Sequence, residues 1–324
     1  MIVAHLDGAT LARVRLALSP ASEAVSWIRA ATSRFGHPVH GDPGPAARAA
    51  VRHPDVALVA QLISPAGRPG YTPDLLTPKS PLGPVDRLFE RQVAAAEATP
   101  TEEVAVQVGG RFPSGAVPAV VRAAVDSGTL ARRAAAGLRR FWRVALADEW
   151  PALRRTLEAE LAGRATTMAT TGVGSLLAGL HPAVGWTGRL LTVDLPQRVT
   201  TTMADSELVL TPSALGWPRV EAQLCDSGNA VLFYPLGAAR PTARTGDLLG
   251  PLVGTSRASI LADLDVPRST HELSDRQDLA PATVSYHLGV LLRAGLVMRQ
   301  RKGHRVLYHR SPHGQDLLEC RSAG

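Results

Sequence analysis

Cysteine and lysine are both scarce in this chain of 324 residues: there are two cysteines, and lysine occurs only at Lys79 and Lys302 among 35 basic residues. Cys225 and Cys320 stand far apart, which excludes a disulfide framework and a CxxC metal site and leaves two buried or free thiols. Long apolar runs are absent too. Nowhere do about 18 uncharged apolar residues follow one another, and the opening MIVAHLDGATLARVRLALSP has no basic segment leading into an unbroken apolar stretch. A cytoplasmic protein with no membrane partner is expected. Catalytic signatures are missing as well, with no GxSxG, HExxH or P-loop. Gly172, Gly174 and Gly179 in TTGVGSLLAGL lack the preceding strand and the following acidic residue of a dinucleotide loop. His181, and the histidines from His37 to His53, are scattered singles that read as surface or turn residues. The chain is therefore read as not an enzyme, with no catalytic residue, no cofactor and no metal site.

What is there begins with length. A chain of 324 residues exceeds the usual single domain of about 100 to 200, so two or more domains are expected. The net charge of +7 suits a polyanionic partner, although a GC-rich genome alone produces such an arginine bias. Position is more telling than total. From Arg268 to His313 there are eight Lys and Arg against three acids.

The first part reads as an α+β domain, mainly helical with a small antiparallel sheet. A helical stretch over about 9–33 carries Leu11, Val14, Leu18, Val25 and Ile28, interrupted at Pro20. Ten of the 25 prolines fall between Pro38 and Pro84, which predicts a loop-rich layer around one short helix near 55–63. Helices follow at 85–98, 117–126, 129–148 and 151–163, the last with Pro151 at its first position. Between 186 and 236 come short β-type runs, GRLLTVDL, ELVLTPSAL and AVLFYPL. All five tryptophans precede residue 236 and predict a substantial core, with room for a ligand pocket as the alternative. AARPTARTGD, at 238–247, is the boundary, giving a regulatory, sensor or dimerisation domain over 1–240 and a second domain over 241–324.

That second domain has a different grammar. SRASILADLDV predicts a helix with Ile260, Leu261 and Leu264 inward. Ser269 and Glu272 have the spacing of a capping box, so a short helix starts there and ends before Leu279. Pro281 opens the next helix, burying Val284, Leu288 and Leu291 and turning Ala282, Thr283, Tyr286, His287 and Arg293 outward, with Ser285 on the flank. Small hydrogen-bonding groups near a helix N-terminus are what a major-groove reader presents. After Gly295, LVMRQRKGHRVLYHR reads as a hairpin with Lys302-Gly303 at its tip, anchored by Val297, Val306 and Tyr308. Arg299, Arg301, Lys302, His304 and Arg305 crowd that tip, as in a DNA-contacting wing.

The segment STHELSDRQDLAPATVSYHLGVLLRAGLVMRQRKGHRVLYHR resembles the winged-helix domain of ArsR/SmtB-type bacterial regulators. The resemblance implies a homodimer on a roughly palindromic operator, usually repressing, under control of a signal. One departure is Ala280, where related sequences often place Ser as the N-cap. GYTPDLLTP, EWPALRRTLEAELAGRA, LAGLHPAVGWTGRLLTV and LVLTPSALGWPRV are similar to the long extension ahead of the winged helix in an actinobacterial subset of these regulators. Metal-sensing members use a CxC motif in the first helix of the pair, and STHELSDRQ has no cysteine. His309, His313, Asp316, Glu319 and Cys320 in the tail are read as a polar, solvated helix instead.

The expectation is a one-component transcriptional regulator whose partners are double-stranded DNA and a second copy of itself, with a possible small-molecule effector in the first domain. Ser269, Thr270, Pro281, Ala282, Thr283, Ser285, Tyr286, His287, Arg299, Arg301, Lys302, His304 and Arg305 are its candidate DNA contacts. Two rivals stand beside it: an enzyme with a DNA-binding appendage, and a ligand-free dimerisation or protein-interaction platform fused to a winged helix.

Overall fold

Proline initiates helices in this chain more often than it breaks them. In the computed structural model Pro20 is the first residue of a helix over Pro20–Thr32, and the Ser19 hydroxyl caps it by accepting the Ser22 N–H at 3.3 Å. A missing N–H costs nothing at that position. The stretch expected as one interrupted helix over about 9–33 is instead helix α1 (Gly8–Ala12), strand β2 (Arg15–Leu16) and helix α2 (Pro20–Thr32), and strand β1 (Ile2–Leu6) precedes it. Ile2, Ala4 and Leu6 are buried in alternation, the period of a strand.

The structure describes residues 1–33, 37, 40–65, 70–195, 197–216, 220–224, 227–236, 253–264, 266–277, 279–302 and 305–319. Its contacts divide the chain into two units, Met1–Arg240 and Pro241–Gly324. The stretch 238–247 lies outside the described residues.

In the first unit, α3 (Gly44–Ala50), α4 (Pro54–Leu62), α5 (Leu88–Glu97), α6 (Thr101–Arg111), α7 (Ala119–Asp126) and α8 (Leu130–Ala145) gather around one apolar cluster. The proline-rich segment thus holds two short helices rather than one. Leu130, Ala134, Leu138 and Phe141 of α8 are fully enclosed at the centre of this cluster. Gly137 lets α8 lie close on α4, since a Cβ there would stand 2.5 Å from the Asp55 carbonyl oxygen. Beside it Arg133 pairs with the Asp55 carboxylate at 2.8 Å. Trp27, Trp142 and Trp150 pack against this cluster, with Phe89 stacked on Trp142 at 4.2 Å. Trp217 lies outside the described residues.

Helix α9 (Trp150–Ala178) runs well past the expected end at 163, broken only at Gly172, whose φ is 86°. Its Leu157 belongs to the helical cluster and its Leu176 and Leu177 to a second one built on strands. The middle of the helix has little apolar face to bury. Hydroxyls of Thr166, Thr167, Thr170, Thr171 and Ser175 bond back to carbonyls four residues earlier, at 2.8 to 3.2 Å.

The remaining strands are β3 (Val184–Trp186), β4 (Leu190–Val193), β5 (Val199–Met203), β6 (Val209–Ser213), β7 (Glu221–Gln223) and β8 (Val231–Pro235). They form two small sheets, in the orders β3-β4-β1-β5 and β2-β6-β8-β7. The α+β class holds, a mainly helical domain with small sheets. The polarity within the sheets does not, because β1 runs antiparallel to β4 but parallel to β5, and β6 runs parallel to both β2 and β8. Strands brought in from residues 2–16 supply two of these parallel pairs, and β6 with β8 forms the third. Trp186 packs against the cluster between the sheets, in which Leu191, Met203, Leu210, Leu232 and Tyr234 are enclosed. No helix among the described residues is long and apolar enough to cross a membrane.

Candidate nucleic-acid interface

The second unit contains α10 (Thr255–Asp263), β9 (Arg268–Ser269), α11 (Thr270–Gln277), α12 (Pro281–Arg293), β10 (Val297–Lys302), β11 (Arg305–Arg310) and α13 (Pro312–Glu319). Ile260, Leu261, Leu264, Leu273, Val284, Leu288, Leu291 and Val297 close its core. The capping box is formed. The Glu272 N–H donates to the Ser269 hydroxyl at 3.2 Å, and the Ser269 N–H donates to the Glu272 carboxylate at 2.7 Å. Ser269 and Thr270, both half-buried, therefore sit where β9 hands over to α11.

Helix α12 starts at Pro281 with Ala280 in an extended conformation and no side-chain cap bond. Pro281, Ala282, Thr283, Ser285 and Tyr286 are exposed, Tyr286 by 67% despite its size. His287 is half-buried, its ring 5.5 Å from that of Tyr286, and its Nδ1 is enclosed without a hydrogen-bond partner. The helix ends in a Schellman motif: Gly295 takes a φ of 69°, its N–H reaches the Leu292 carbonyl at 3.1 Å, and the Leu296 N–H reaches Leu291 at 2.9 Å. That reversal sends the chain directly into the hairpin.

In the hairpin, Val297 pairs with Arg310, Arg299 with Tyr308, and Arg301 with Val306. Cross-strand partners point to the same side, so Arg299 and Arg301 continue the face that begins with buried Val297. Tyr308 packs on the core as expected. Val306 does not anchor the hairpin, being 38% exposed opposite Arg301, beyond the reach of the core. Lys302 and Arg305 are the last opposed pair before the tip, and Gly303 and His304 lie outside the described residues.

Several of the basic residues that raised the local charge are fold elements. Arg268 donates to the Asp263 carbonyl at 2.6 Å, Arg276 pairs with the Asp263 carboxylate at 3.1 Å, and Arg310 donates to the Leu261 carbonyl at 2.8 Å. Arg293, Arg299 and Arg301 are exposed. The tail also differs from its reading as a solvated helix. Leu317 and Leu318 of α13 pack on the core, and Gly314 sits so tightly against the Leu296 carbonyl that no Cβ fits. His309 is partly enclosed there, and burial lowers its pKa. Among the described residues no three His, Cys, Asp or Glu side chains converge on a metal position. Cys225 and Cys320 are both outside those residues.

Residues 256–300, from α10 into β10, match a helix-turn-helix domain family, and residues 131–240 match a family of unknown function, DUF5937. The second match covers α8, α9 and strands β3 to β8, which contribute residues to both cores of the first unit. No curated protein matches the chain. The second unit is a winged helix-turn-helix. The chain is a DNA-binding transcriptional regulator that carries this module behind a long N-terminal domain.

Proposed function

We propose that the chain is a cytoplasmic, one-component repressor of the ArsR type that binds an approximately palindromic operator as a homodimer. Helix α12 enters the major groove, where Thr283, Ser285, Tyr286 and His287 read base edges and Pro281 and Ala282 allow close approach. Ser269 and Thr270, at the start of α11, position the module on the backbone. The wing supplies phosphate contacts from Arg299, Arg301, Lys302, His304 and Arg305. The observation that carries this reading is the exposure of Pro281, Ala282, Thr283, Ser285 and Tyr286 on α12, followed directly by a hairpin with exposed arginines. Tyr286, the largest of these side chains, is left mostly to solvent.

The first unit is proposed to hold a small-molecule effector and to catalyse no reaction. Thermal-shift screening separates this from its rivals, since saturable stabilisation marks a sensor, product formation an enzyme, and neither a platform. DNA binding is tested by a shift assay on the chain's own promoter. Affinity should fall by orders of magnitude from about 50 to 200 mM salt, and Arg301→Ala with Arg305→Ala should flatten that slope by about two. Affinity indifferent to both salt and these substitutions would overturn the proposal.

A further inference from the structure

Helix α12 has no Lys, Arg, Asp or Glu before Arg293. Its outward hydroxyls, on Thr283, Ser285 and Tyr286, can each donate or accept and so rank the bases weakly. His287 differs. Its Nδ1 is enclosed without a partner, and the ring as a whole is only half-buried, which leaves Nε2 at the accessible edge. A neutral imidazole carries one N–H. Placing it on Nδ1 would bury an orphan donor, which folded proteins tolerate less than a bare lone pair, so the proton belongs on Nε2.

We propose that His287 is a specificity-determining residue of α12, presenting a fixed Nε2–H donor that selects guanine at one position of each half-site. Guanine alone offers two adjacent acceptors, N7 and O6, in the major groove. Adenine sets a competing amino donor beside its N7, and thymine a methyl group beside its O4. The inference rests on the DNA reading above and gives that reading its first base.

The test is selection of bound duplexes from a randomised pool by the full chain and three variants. His287→Arg, a donor only, keeps guanine at the position concerned. His287→Gln, donor and acceptor together, admits adenine there. His287→Ala loses preference at that position alone, with about tenfold weaker binding to the guanine site. Substituting 7-deazaguanine weakens the parent chain and leaves the alanine variant unchanged. In a long-range nitrogen–proton spectrum of histidine-labelled chain, with His287 assigned by its disappearance in the alanine variant, Nε2 carries the proton. An unchanged guanine preference in all variants, or a protonated Nδ1, overturns the role of His287 while DNA binding stands. Failure of the parent chain to enrich any sequence overturns both. A variant that merely misfolds loses every position at once, which the arginine and glutamine variants distinguish from loss of one.

Discussion

Glu23 and His37 hold opposite sides of the same residue: the Glu23 carboxylate accepts the Leu215 N–H at 2.8 Å, and His37 Nε2 meets the Leu215 carbonyl at 3.1 Å. The His40 N–H donates to His37 Nδ1 at 3.0 Å, which leaves the proton on Nε2 and makes that ring nitrogen the donor. The second Glu23 oxygen accepts the Ala214 N–H at 3.1 Å. His37, read from sequence as a surface or turn residue, is 4% exposed and lies against Trp27. Burial pushes Glu23 up to about 7, against hydrogen bonds from Ser213, Leu215 and Ala214. It depresses His37 to about 4, helped by the charge of neighbouring His40, whose own pKa burial also lowers.

These shifts act in opposite directions on stability. Glu23, raised from 4.5, contributes stability below pH 4.5 that is lost as pH rises to about 7. His37, lowered from 6.5, contributes stability above pH 6.5 that is lost as pH falls to about 4. Each effect is on the order of 3 kcal/mol, so the first unit should unfold in urea with little pH dependence between these limits. Glu23→Gln should make stability climb with pH across that window, and His37→Asn should make it decline. Tryptophan fluorescence follows the first unit selectively, and parallel pH profiles for all three proteins would refute the pairing.

Ser269→Ala removes one half of the capping box and should cost the second unit about 1 kcal/mol. Ala280→Ser supplies α12 with the cap it lacks and should return a similar amount. Circular dichroism melts of the two variants are expected to shift in opposite directions.

At the crossing of α4 and α8 there is no space for one more methyl group. Gly137→Ala should destabilise the first unit by roughly 1 to 3 kcal/mol, because the clash is with backbone rather than with a flexible side chain. Denaturant midpoints of the two units, followed separately, should show the loss in the first and none in the second.

Tyr286→Ala is expected to leave unfolding within about 0.5 kcal/mol of the parent, as for an exposed residue without a packing role. Operator affinity, measured on the same preparation, should fall at least several-fold. A variant that unfolds more easily without losing affinity would place Tyr286 in the fold rather than at the interface.

The second unit was legible because its determinants are local. The box at Ser269 and Glu272, the proline at 281 and the glycine at 295 all act on residues within five positions, and the apolar period of α12 needs no distant partner to be recognised. Val306 was misread because alternation assigns a face but not how far the core extends under it. The first unit resisted the same approach. Strands β1 and β2 find their partners some 190 residues away, so neither sheet order nor polarity has a local signature. Helix α9 escaped because its threonines satisfy themselves on the helix instead of marking a buried stripe. The role of Glu23 depends on a loop that only the folded sheet brings to it.

Strand β1 lies between β4 and β5, with Ile2 opposite both Val193 and Val199. During translation that strand leaves the ribosome long before either neighbour exists, and at about 5 to 20 residues per second it waits roughly ten to forty seconds for them. Its edges are unpaired throughout that interval, the state in which strands recruit wrong partners. Relocating β1 to a position after β5 in the chain should therefore raise the yield of correctly folded protein at high expression, with the strand order of the finished sheet unchanged.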